Sequence, residues 1–168
     1  MTSLRRRIAI CLAAVAVAGG LVLAGATPAA AGTVTQRWLC GSVTGGTSYG
    51  NFHVTITAPA TASVGQTATV TAAVTAAVNQ SNTIAAGVIR ASLVINLGGV
   101  GSGTITATGL TNPDILPGTP WRVAGGRAQI TFTRAGDVTF RTSHLDGGAW
   151  GCGAATDPQP IVAVTRVS

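Results

Sequence analysis

The sequence predicts an all-β fold, an antiparallel β-sandwich closed by one disulfide, and three observations carry that prediction. Runs of apolar and polar residues alternating at period two follow one another from residue 51 onward. Clusters of Gly, Pro and Asn separate these runs at short intervals. Two cysteines, Cys40 and Cys152, bracket nearly all of them, and helical periodicity is almost absent. Short strands with frequent turns pack as two antiparallel sheets over one core.

An export signal precedes the strands. Arg5, Arg6 and Arg7 form a basic n-region, residues 8–23 are an apolar helical stretch, and Pro28 leads into Ala29-Ala30-Ala31. Charge, apolar core and small-residue site, in that order, specify a signal peptide over residues 1–31 with cleavage after Ala31. The apolar run is shorter than the roughly twenty residues a membrane span requires, so no span is expected after signal removal. A plain basic n-region favours Sec over twin-arginine export. Leu23-Ala24-Gly25 is followed by Ala26 where a lipoprotein box has cysteine, so no lipid anchor is expected.

Cleavage leaves a single domain, residues 32–168. Three of the ten arginines depart with the signal, and the seven that remain against four aspartates give a net charge of +3. These arginines are scattered along the chain, whereas nucleic-acid binding needs a basic patch on one face; no nucleic-acid partner is expected. Cys11 leaves with the signal, and Cys40 and Cys152 form an even pair in an oxidising compartment, which predicts a disulfide. Two distant cysteines lack the short spacings of structural zinc ligands, and no metal or other cofactor is expected.

In the first clear strand Phe52, Val54 and Ile56 share one face, opposite His53, Thr55 and Thr57. Pro59 and Val64-Gly65-Gln66 turn the chain into a longer strand with Ala68, Val70, Ala72, Val74, Ala76 and Val78 on one side. Threonine and valine at period two outweigh the helical leaning of alanine there. Residues 83–91 are ambiguous: Ile84, Val88 and Ala91 fit a short helical stripe, and an irregular crossing fits as well. Leu93, Ile95 and Leu97 alternate, residues 98–103 turn, residues 104–108 return, and the proline-rich stretch 111–120 is a loop.

Ile130 and Phe132, then Val138 and Phe140, predict a hairpin. Both pairs reach one face if Phe132 opposes Val138, with Arg134-Ala135-Gly136 as a three-residue loop ending on the glycine such loops want. That hairpin would gather Arg127, Gln129, Thr131 and Arg141 on its wet face. Residues 161–167 are largely apolar at both parities and are expected as a strand buried on both sides or covered by a loop.

Trp38-Leu39-Cys40-Gly41 and Trp150-Gly151-Cys152-Gly153 repeat one W-x-C-G pattern at the two ends of the domain. On a strand, positions i and i+2 share a face, so each indole lies beside its cysteine and the disulfide becomes a core staple flanked by tryptophans. Trp121 follows a proline loop and precedes Arg122, which makes it the exposed tryptophan; Trp121, Arg122 and Tyr49 are the candidate ligand-binding residues. Gly46-Thr47-Ser48-Tyr49-Gly50 matches G-x-S-x-G, and Asp114 or Asp137 with His144 would complete a Ser, Asp, His order. That motif works at a strand-to-helix elbow, and here a strand follows, so no catalytic residue is assigned. His53 on a polar strand face, and His144 and Asp146 at the Asp146-Gly147-Gly148 turn, are explained by solvation and turn chemistry.

The segment 59–78, a proline and a Val-Gly-Gln turn followed by a Thr/Val strand, resembles the early strands of bacterial immunoglobulin-like domains. The Ala-rich signal ending at Ala31, the start Gly32-Thr33-Val34-Thr35, Cys40, and Cys152 ahead of a last strand extend the likeness. With them the chain is similar to the small secreted immunoglobulin-like proteins of actinobacteria, most of which have no assigned activity. The resemblance implies an antiparallel immunoglobulin-like β-sandwich and leaves function open. In size and in Thr/Ala/Gly/Val bias the chain is also similar to the secreted apoproteins that carry enediyne antibiotics, which have two disulfides where this chain offers one.

The expected protein is therefore secreted, extracellular or associated with the cell envelope, and not an enzyme. It is read as an interaction domain whose partner is an extracellular protein or a glycan. The alternative is a small-ligand carrier or glycan-binding module built on an exposed aromatic.

Overall fold

The computed structural model describes residues 29–168, and the basic and apolar parts of the expected signal lie outside the described residues. Ten strands follow one another: β1 (Ala29–Ser42), β2 (Thr47–Pro59), β3 (Thr61–Ala62), β4 (Thr67–Asn79), β5 (Arg90–Gly99), β6 (Thr104–Thr111), β7 (Pro120–Thr131), β8 (Gly136–Asp146), β9 (Trp150–Ala154) and β10 (Ile161–Val167). Hydrogen bonding runs in the order β8-β5-β6-β7-β4-β2-β1-β9, and β9 pairs back onto β8. Eight antiparallel strands thus close into a ring. The closure depends on β8 dividing its second edge, with β10 along residues 136–141 and β9 along residues 144–146. The all-β, antiparallel, disulfide-closed expectation holds, but the two open sheets of a sandwich are joined here into one barrel. A closed ring leaves fewer unpaired strand edges to recruit other chains.

Alternation places the core where the sequence puts it. Phe52, Val54 and Ile56 of β2, Val70, Val74 and Ala76 of β4, and Leu93 and Ile95 of β5 are all buried. The β2–β4 register sets Phe52 against Ala76 and Ile56 against Ala72, so large and small side chains sit side by side and fill the layer. β1 begins at Ala29, and Ala29, Ala30 and Ala31 pair with β2, so the expected cleavage point falls inside this strand. At Gly32 the main chain of β10 comes so near that a Cβ would lie 1.5 Å from the Val162 carbonyl oxygen.

The expected hairpin does not form. Ile130, Phe132, Val138 and Phe140 are all buried, but β7 lies between β4 and β6, and β8 lies between β5 and the β9/β10 edge. At the end of β7, Phe132 exchanges main-chain hydrogen bonds with Gly65 and Gln66, and the chain then crosses to the other wall. Alternation is satisfied equally by strands that neighbour each other and by strands on different walls of one core. Gly136 does take a positive φ of 125°, yet the neighbour it accommodates is Val100, whose Cγ1 would lie 2.6 Å from a Cβ there. The expected wet-face row is divided as a result. Gln129 and Thr131 bond to Thr69 and Thr67 of β4, while Arg141, on β8, donates to the Gln159 carbonyl.

One other expectation is corrected, and of two alternatives left open the structure shows one. In β10 the side chains of Val164 and Arg166 are exposed, while Ala163, Thr165 and Val167 are buried; a bulge between Ile161 and Ala163 buries Val162 as well. The bulge accounts for the burial of Val162, while Ile161 and Val164 are apolar yet exposed, so the two faces are not both covered. Of residues 83–91, the first seven form an irregular crossing without a helix and the last two begin β5. Ile84 bridges Ile115, and the N–H of Ala86 donates to the Asp114 carboxylate.

Buried Asn112 ties the two loops together. Its Oδ1 accepts from the N–H of Ile89 at 2.7 Å, and its Nδ2 donates to the carbonyls of Ala85 at 2.7 Å and Pro113 at 2.8 Å. Asn112→Ala would remove three hydrogen bonds to part-buried main-chain groups and is expected to cost about 1–3 kcal/mol, read from the shift in denaturation midpoint.

Candidate functional site

Antiparallel pairing brings the ends of β1 and β4 and the starts of β2, β7 and β9 to one end of the ring. Cys40 stands opposite Ser48 on β2 and opposite Cys152 on β9, so the disulfide is a direct cross-strand bond with a Cα–Cα distance of 3.9 Å. Four aromatic rings follow from it into the core. Trp38 stacks on Phe52 at 5.2 Å, Phe52 meets Trp121 edge-on at 6.2 Å, and Trp121 meets Trp150 at 5.7 Å with their planes 82° apart.

These tryptophans have different surroundings. Trp38 is 0 % exposed, and its indole N–H is buried without a hydrogen-bond partner among the described residues. It is the core staple that the W-x-C-G spacing predicts. Trp121 and Trp150 are half-buried, pack on the core with one side, and border a cleft of about 370 Å³. That volume lies within the range of small-molecule sites, and the mouth of a β-barrel is a frequent place for one. Phe52, Ala76, Val78, Ile89 and the two bonded cysteines complete its apolar wall, and Ser48 and Gln80 are its polar residues. Among the described residues, no charged side chain borders it. Behind Trp150 the main chain turns tightly: a Cβ on Gly147 would lie 2.1 Å from Cε2 of the indole.

The structure does not bring Trp121, Arg122 and Tyr49 together. Adjacent residues on a strand point to opposite faces, so Trp121 turns toward the core and Arg122 away from it. Arg122 borders a separate depression beside Asp114 and Leu116. Tyr49 is 59 % exposed, and the Arg37 guanidinium lies over its ring, 4.4 Å from the centroid. Its depression shares Val78 with the Trp-lined cleft. Sequence reasoning missed Trp150, Val78 and Ile89 as wall residues. Trp150 could have been found, since its motif fixes it beside Cys152; that β9 closes the ring between β1 and β8 and brings Trp150 onto Trp121 could not.

A larger depression of about 470 Å³ adjoins the turns after β1 and β8 and shares Trp150 and Cys152 with the cleft; Ser42, Val43 and Leu145 line it together with glycines and Ala149. His144 and Asp146 border it, whereas Ser48 borders the Trp-lined cleft. The Asp146 carboxylate accepts from the Gly148 N–H, Asp137 pairs with Arg166, and His53 shares a hydrogen bond with Thr35. Among the described residues there is no group of three His, Cys, Asp or Glu side chains placed to hold a metal ion.

In comparisons with known proteins, no family model matches the chain, and neither the curated proteins nor the solved structures give a match.

Proposed function

We propose that this chain is an exported, non-catalytic binding domain that holds a small apolar ligand in the cleft beside the disulfide. The observation that carries the reading is the pair of half-buried indoles, Trp121 and Trp150, bordering a cleft of about 370 Å³ that no charged side chain among the described residues lines. Tryptophans that served as core staples alone would be closed over, as Trp38 is. The basic, apolar and small-residue order of residues 1–31 and the Cys40–Cys152 bond support export to an oxidising compartment, in the medium or at the cell envelope. Ser48 lies on β2 and His144 on β8, with β1 and β9 between them, which favours binding over hydrolysis. We read the fold as an immunoglobulin-like sandwich whose sheets β9 has joined.

A protein partner at the same end is the second reading. It is favoured by Val43, Val88 and Leu116, which are exposed in the loops that surround the cleft's end of the ring.

Collisional quenching of tryptophan emission by acrylamide tests the first reading. One shielded and two accessible indoles are expected, with small apolar ligands protecting the accessible pair. If all three are shielded and no ligand changes the signal, the cleft is closed and the protein-partner reading takes its place.

A further inference from the structure

We infer that the cleft selects a neutral, flat, fused-ring aromatic molecule; the inference rests on the cleft being a ligand site and adds the class of ligand. Trp121 and Trp150 meet with their planes 82° apart and their centroids 5.7 Å apart, which makes a right-angled corner of two π-systems. A flat ring lying parallel to one indole offers its edge to the face of the other. Aromatic quadrupoles favour both arrangements at once, offset stacking on one side and edge-to-face contact on the other. A saturated ring of equal size fills the same volume and gains neither.

The remaining wall argues against other chemistries. An ionised ligand would lose part of its hydration and find no counter-charge, because no charged side chain among the described residues borders the cleft. A sugar carries a hydroxyl on nearly every ring carbon, and besides the indole N–H groups the polar side chains on this wall are Ser48 and Gln80. Most of those hydroxyls would be buried unpaired. A flexible acyl chain must freeze its rotamers to enter a cavity of about 370 Å³, whereas a fused-ring ligand arrives rigid. Ser48 and Gln80 suit a single hydroxyl or carbonyl on the rim of such a ligand.

Isothermal titration calorimetry on the purified, oxidised protein tests this with 2-naphthol, decahydro-2-naphthol, 2-naphthalenesulfonate and cellotriose. The first is expected to bind at least tenfold more tightly than the second and the third, and the trisaccharide to give no binding heat. In the ¹⁵N spectrum of the wild-type protein, 2-naphthol should shift two of the three indole N–H signals and leave that of Trp38 in place. Trp121→Leu is expected to weaken 2-naphthol at least tenfold, and Tyr49→Ala to leave it unchanged. Equal affinity for the saturated alcohol overturns the aromatic selection while the cleft stands as a general apolar site. Preference for the sulfonate overturns neutrality, and binding of cellotriose alone makes the site a glycan platform. If none of the four binds, the ligand reading itself falls, and this inference falls with it.

Discussion

Replacing Cys40 and Cys152 together by alanine is expected to destabilise the domain by about 4–5 kcal/mol and to lower its melting temperature by roughly 10–20 °C. The bond joins residues 112 apart in sequence, so its loss frees almost the whole domain in the unfolded chain. The native state loses something more local. β9 is five residues long, pairs with β1 at five positions and with β8 at three, and two of its five residues are glycine. Glycine packs no side chain and costs the most backbone entropy to order, so this strand is weak without its covalent tie. β9 also carries Trp150, one wall of the cleft. The double variant should therefore show faster amide exchange along β9 than along the β2–β4 pair, together with a red shift in tryptophan emission. Calorimetric melting and hydrogen exchange read both effects. A drop of under about 1 kcal/mol would mean that β9 is held by packing alone, and uniform exchange would mean that the ring has no weak seam.

Legibility of this fold in the sequence stops at the point where long-range pairing begins. The faces of β2, β4 and β5 and the proline loop before β7 follow from local alternation and turn residues, and so does the pairing of two cysteines in an oxidising setting. Strand neighbours do not. Phe132 and Val138 alternate as a hairpin would, yet each goes to a different wall, because residues 65–66 and β5 offer them better-placed partners. The bulge at Val162 likewise imitates a doubly buried strand. For the site, the W-x-C-G repeat locates two tryptophans beside the disulfide, and proline punctuation flags Trp121. Their convergence on one cleft needs β9 to close the ring beside β1, and a closure over a sequence gap of this length leaves no local mark. Exposure and adjacency single out Tyr49 and Arg122 in the sequence, and neither sets direction: Arg122 follows Trp121 and so must face away.

Trp38→Ala should cost about 3–5 kcal/mol, whereas Trp38→Phe should stay within about 1 kcal/mol of the wild type. The indole is fully buried and stacks on Phe52 at 5.2 Å, so truncation to alanine removes a large apolar surface and opens a cavity between β1 and β2. Phenylalanine restores most of that surface and the stacking partner. Two terms of opposite sign then remain. The smaller ring leaves a void, at roughly 24 cal/mol for each Å³ that does not collapse. Against this, the buried indole N–H, which finds no acceptor among the described residues, is gone, and leaving such a donor unpaired costs about 1–3 kcal/mol. The two nearly cancel. Urea unfolding of the three proteins measures the balance, provided the slope is unchanged, so that midpoint shifts report stability. A phenylalanine variant as weak as the alanine one would show that volume alone governs this position. One clearly more stable than the wild type would make Trp38 a residue whose polar atom the fold carries at a loss, and would give a firmer background on which Trp121 and Trp150 report as the two indoles left.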